Sequence, residues 1–131
     1  IDFKEVMGKD HADSFLLLES GRADAFVMDA SILAANISKS KNPKDFAIVG
    51  PELSVEPIAC MVRKGDAEFL NAVNASISRQ IQDGSLAKLY DKWMVQPVPP
   101  NNVSLNLPMS EATKAAWASP NNKPAEDFVK K

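Results

Sequence analysis

Two residue types that build sites are nearly missing from this 131-residue sequence: it has one cysteine and one histidine. Cys60 alone excludes an internal disulfide and a cysteine-based zinc cluster; it fits a reduced compartment or a secreted protein whose partner cysteine is missing from these residues. His11 alone excludes a multi-histidine metal site, and the five glycines form no phosphate-cradling array. No run of about 18 apolar residues is available for a membrane span, and the first residues lack the basic and apolar regions of a signal peptide. Neither sign of charge is in excess, with 15 basic against 17 acidic residues and a formal net charge of −2. The Lys and Arg residues are scattered, which argues against nucleic acid as a partner.

What is present is the composition of an ordinary soluble domain, 45% hydrophobic and 24% charged. Four apolar segments read as strands: Asp2–Met7, Ala25–Met28, Phe46–Val49 and Ile58–Val62. Ala25–Met28 is continuously apolar, as a central parallel strand covered on both faces is. Helices are expected between them. Asp10 is a good N-cap, Asp13 lies in the first turn where the helix dipole favours it, and Gly21 is the stop. The apolar run Phe15–Leu18 predicts burial of this helix on two sides. Ser31 can cap a second helix that ends at Asn42-Pro43. The order strand, helix, strand, helix, strand implies right-handed crossovers and an α/β fold with a parallel sheet.

Gly50-Pro51 to Glu56-Pro57 loses this periodicity and reads as a crossing between two bodies. After Ile58–Val62, Asp66 caps a helix with Phe69, Leu70, Val73, Ile77 and Ile81 on one face, and Gly84 stops it. A further helix from Ser85 carries Leu86, Leu89, Tyr90, Trp93 and Met94. Pro97, Pro99 and Pro100 with Asn101-Asn102 cannot continue it, and Val103–Pro108 reads as extended. Ser110 and Glu111 open a last helix through Trp117, before a polar tail expected to be mobile.

Few residues could carry chemistry. His11 stands in the loop before the first helix and Asp29 at the end of the next strand, so a strand-helix-strand unit sets both at one edge of the sheet, where ligands of open α/β folds bind. An imidazole there can donate to an anionic ligand and a carboxylate can pair with an ammonium. The alternative is that His11 caps or decorates its loop and Asp29 caps the helix near Ser31. Ser14, Ser20, Ser31 and Cys60 are available nucleophiles, but none sits in a G-x-S-x-G elbow. Cys60, in an apolar run, reads as a buried inert thiol. Trp93 and Trp117 read as core or interface anchors, and Arg22 as a surface or helix-end residue.

The segments DHADSFLLLESGRADAFVMDA, FAIVG, EPIACMVRKGDAEF, QDGSLAKLYDKWM and PVPPNN resemble the glutamate/aspartate-binding proteins of bacterial amino-acid ABC transporters, from about Phe3 to about Pro120. The resemblance implies part of a type II periplasmic binding protein-like fold, corresponding to the later half of such a protein. Residues 1–57 are then the C-terminal part of lobe 2 with a hinge crossing, 58–96 the return segment of lobe 1, and 97–131 a proline-rich wrap and tail. It further implies capture of L-glutamate or L-aspartate by lobe closure and delivery to a membrane permease, in the periplasm, without catalysis or cofactor. Under this resemblance Asp29 matches the aspartate that receives the ligand ammonium, and His11 the histidine that helps hold its acidic side chain. Ser14 and Met28 can line the same mouth. A signal peptide, the arginines that clamp the carboxylates and further hydroxyl donors are expected ahead of Ile1, so weak ligand binding is expected of these 131 residues alone. A sensor module fused to a histidine kinase or receptor is the alternative of another class, against which the short polar end Phe128–Lys131 speaks; an enzyme such as a dehydratase on this fold is a third. Unpaired edges and apolar faces lead us to expect self-association.

Overall fold

The computed structural model describes residues 2–100 and 102–128, so the last three residues of the polar tail and Asn101 lie outside it. The described chain divides into two units. The first runs up to Val49 and includes Gln96–Leu107; the second comprises Gly50–Val95 and the chain from Pro108 onward.

In the first unit, helix α1 spans His11–Glu19 and α2 spans Ala30–Lys39. Asp10 caps α1 by accepting the Asp13 amide on its side chain at 2.8 Å. At the other end the Ser20 amide bonds back to Leu16, and Gly21 takes a positive φ of 71°, a conformation that favours glycine and turns the chain out of the helix. Phe15, Leu17 and Ala34 are the buried apolar residues of this unit. Phe46 lies over Phe15, with ring centroids 5.1 Å apart and planes tilted by 51°. A 3-10 turn over Pro43–Asp45 leads into Phe46, and the Glu19 carboxylate accepts the Lys41 amide at 3.3 Å, tying the end of α1 to the chain after α2. Burial of α1 reaches two sides but is incomplete: Phe15 and Leu17, which at about 100° per residue point to nearly opposite sides of the helix, are buried, whereas Leu16 is 55% exposed and Leu18 half-buried. Val98 and Val103 form an antiparallel bridge, the Val98 amide donating to Val103 at 3.2 Å across the proline-rich turn.

In the second unit, α3 spans Ala67–Gln82, α4 Ser85–Tyr90 and α5 Glu111–Ala118, and Asp91–Val95 continue α4 as a π-helical turn. Asp66 caps α3 at the Phe69 amide, 3.0 Å, and Ser110 caps α5 at the Thr113 amide, 3.2 Å, both as the sequence predicts. Gly84, at φ 74°, separates α3 from α4. Trp117 meets Tyr90 edge to face at 6.0 Å and 85°. Trp93 instead stays half in solvent, with the Lys92 ammonium 5.0 Å from its ring centre. The tail expected to be mobile forms a 3-10 turn over Ala125–Phe128.

The four segments expected as strands form no ladder, and among the described residues Val98–Val103 is the sole β pairing. Many of their apolar side chains face solvent, Val49 being 83% and Met61 97% exposed, while Phe26, Met28, Phe46 and Val62 are half-buried. Cys60 is likewise exposed, against the expectation of a buried thiol. The physical reason is common to both. A central strand needs a neighbour on each edge to accept and donate its backbone bonds and a layer on each face, and alternation or continuity of apolar residues reports the capacity to be covered rather than the cover itself.

Candidate functional site

The two residues singled out from the sequence both belong to the first unit, and each stands at the start of a helix. His11 is the first residue of α1 and is exposed. The chain reaches it through Lys9 and Asp10, and three bonds fix that approach. The Asp13 amide donates to Asp10 Oδ1 at 2.8 Å, the Ser14 amide to the Asp10 carbonyl at 3.0 Å, and the Lys9 amide to Asp13 Oδ2 at 2.9 Å. Capping of α1 therefore falls to Asp10, and the imidazole of His11 is not used for it.

Asp29 occupies the N-cap position of α2 with φ −54° and ψ 137°, and its carbonyl accepts the first helical bond from the Leu33 amide at 2.9 Å. Its side chain makes no capping hydrogen bond and is exposed. The helix thus begins one residue ahead of Ser31, and the capping alternative describes the Asp29 backbone but not its carboxylate. An exposed carboxylate not spent on capping is free to accept from a ligand ammonium. An imidazole on the first turn of α1 can offer an N–H donor at another positive helix end, where an anionic ligand group is favoured.

Ser14 and Met28, candidates for lining the same mouth that no motif match assigns a contact, are both half-buried. The hollow on this unit, about 320 Å³ and bordered by Leu16, Glu19, Lys41, Asp45 and Phe46, includes none of the four. Among the described residues no group of three or more His, Cys, Asp or Glu side chains could hold a metal ion. Sequence reading understated one residue: it placed Asp13 in the favourable field of the helix end but missed its bond to Lys9. The signal was there, since an acidic residue three positions after an Asp cap is the spacing of reciprocal capping.

Residues 3–96 match the sequence profile of the bacterial extracellular solute-binding proteins, family 3. The chain is 47% identical over 123 residues to the L-glutamate/L-aspartate-binding protein of Pseudomonas aeruginosa, covering 94% of the chain and 41% of that protein. It is 42% identical over 118 residues to the glutamate/aspartate import solute-binding protein of Salmonella typhimurium, covering 90% of the chain and 39% of the relative. The corresponding Escherichia coli K12 protein is 40% identical over 123 residues, covering 94% and 41%. The chain spans about two fifths of the length of these relatives.

Proposed function

The chain belongs to family 3 of the bacterial extracellular solute-binding proteins, and from that premise we propose that the whole protein is the solute-binding component of an ABC importer for acidic amino acids. It captures L-glutamate or L-aspartate between two lobes, closes by a hinge movement and hands the ligand to a membrane permease, in the periplasm and without catalysis or cofactor. The observation that carries this reading is 47% identity, over nearly the entire chain, to a protein named for binding these two amino acids. In this reading residues 1–57 complete lobe 2 and cross the hinge, 58–96 return to lobe 1 with their apolar segments as sheet strands, and 97–131 wrap the lobes. Asp29 receives the ligand ammonium and His11 assists in holding the acidic side chain.

Both assignments draw support from the local geometry. Each side chain is exposed at a helix start, and in neither case is it committed to capping its own helix. Calorimetric titration of the whole protein with L-glutamate and L-aspartate tests the function, and Asp29→Asn tests the site. Loss of a charge-assisted hydrogen bond weakens binding by about 1.5–3 kcal/mol. Unchanged affinity in the variant refutes the role of Asp29; no binding of either amino acid by the native protein refutes the function.

A further inference from the structure

His11 is flanked by two aspartates whose carboxylates are both turned to the backbone. Asp10 serves α1 itself, through its Oδ1 to the Asp13 amide at 2.8 Å. Asp13 has the spacing of reciprocal capping but does not return its carboxylate to the amide of the cap residue Asp10. Its Oδ2 reaches back across His11 to the amide of Lys9 at 2.9 Å, and Lys9 lies outside the helix, ahead of the cap. This bond adds nothing to the helical ladder, so its effect falls on the approach of the chain to His11. An exposed chain entering a helix frays unless its own polar groups tie it down. Here a link between residues 9 and 13 spans the histidine and, with the two bonds to Asp10, restricts the backbone that sets the direction of its side chain.

We infer that Asp13, through the Lys9 amide, is the positioning residue that holds His11 in place for the acidic side chain of the ligand. The inference rests on the reading of His11 given above. Simple charge predicts the opposite of a supporting role: an anionic side chain two residues from the contact repels an anionic ligand group, and its removal should tighten binding. Only a geometric role makes its removal harmful.

The test is titration of the whole protein with L-glutamate and with its neutral isostere L-glutamine, in native protein and in Asp13→Ala, Asp13→Asn, His11→Ala and the double variant Asp13→Ala/His11→Ala, with circular dichroism to verify folding. Asp13→Asn retains an oxygen that accepts the Lys9 amide and discards the charge, so it is expected to keep native glutamate affinity or improve on it. Asp13→Ala is expected to weaken glutamate roughly tenfold, the equivalent of one charge-assisted hydrogen bond, while altering glutamine little. In the His11→Ala background it should add nothing. Equal weakening of both ligands by Asp13→Ala, an Asn variant as weak as the Ala variant, or an undiminished effect without His11 overturns the inference. If His11→Ala lowers the glutamate-to-glutamine ratio and Asp13→Ala does not, the inference alone fails; if His11→Ala leaves that ratio unchanged, the role of His11 fails and takes the inference with it.

Discussion

The rings of Phe15 and Phe46 face each other with centroids 5.1 Å apart, across the step from α1 to the end of the 3-10 turn. Phe15 is 7% exposed and Phe46 half-buried, so the pair is unequal in what each ring removes from water. Phe15→Ala forfeits a full aromatic transfer term plus a cavity and is expected to destabilise the first unit by about 3–4 kcal/mol. Phe46→Ala, which loses the ring contact but a smaller buried area, is expected to cost about 1–2 kcal/mol. Leu16→Ala on the exposed side of α1 should stay within about 0.5 kcal/mol of native. Urea denaturation of the three variants checks the ranking, and a Leu16 variant as damaging as Phe15→Ala contradicts the burial of α1.

Tyr90 is the one tyrosine of the chain, so its ionisation can be followed by absorbance without interference. Burial beside Trp117 raises its phenol above the ordinary value, because the phenolate is poorly solvated there. Folded protein therefore holds this proton more firmly than unfolded protein, and the packing of the second unit is at full strength below the ordinary phenol pKa and weakens as pH rises above it. Trp117→Ala opens the site to water and is expected to bring the titration midpoint down towards 10. A midpoint that does not move shows that Trp117 is not what shields Tyr90.

Asp83 and Ser85 define the break between α3 and α4. The Ser85 hydroxyl and then its amide, which donates to Asp83 Oδ1 at 2.8 Å, hold the carboxylate below its usual range. A depressed folded value means that this contribution is present above the ordinary carboxylate pKa and disappears as pH falls through the folded one. Ser85→Ala removes the hydroxyl and keeps the amide, so the Asp83 titration followed by carbon-detected NMR is expected to shift upward part of the way. No shift at all leaves the effect to the amide and the nearby charges of Arg79 and Lys88.

Helix ends were readable from residue type because their determinants are local. Asp10, Asp66 and Ser110 each cap where their side-chain oxygen lies three residues ahead of an amide in need of an acceptor. Gly21 and Gly84 mark stops for an equally local reason, their positive φ. Asp29 shows the limit of that reading: its position at the start of α2 was foreseeable, but whether its carboxylate turns inward to cap depends on the competition for it, which residue type does not encode. The expected strands find no ladder among the described residues and Cys60 is exposed, both for a non-local reason. Val27, Val49 and Met61 carry the apolar character of sheet residues, yet a sheet is a property of several segments at once, and no single segment contains its partners. The assignment of His11 and Asp29 to a ligand came from resemblance, since eighteen residues of separation are compatible with many arrangements.

The exposed apolar segments lead to the last prediction. Val27, Val49, Ile58 and Met61 lie on stretches with no ladder, so side chains and backbone groups are both open to another chain. Large exposed apolar areas and unpaired strand-like backbone are the two features that natural monomers avoid. The 131-residue chain produced by itself is therefore expected to associate and to bind the dye ANS. Light scattering should give a mass above that of one chain, rising with concentration. Replacing Ile58 and Met61 by Lys introduces two like charges into one stretch and should reduce both signals, because a new contact would have to desolvate them. The same double substitution in the whole protein separates two causes. If Ile58–Val62 is a sheet strand there, it should destabilise that protein by several kcal/mol. If the stretch is solvent-exposed there too, stability should be unchanged. A concentration-independent monomer that ignores ANS contradicts the prediction for the isolated chain.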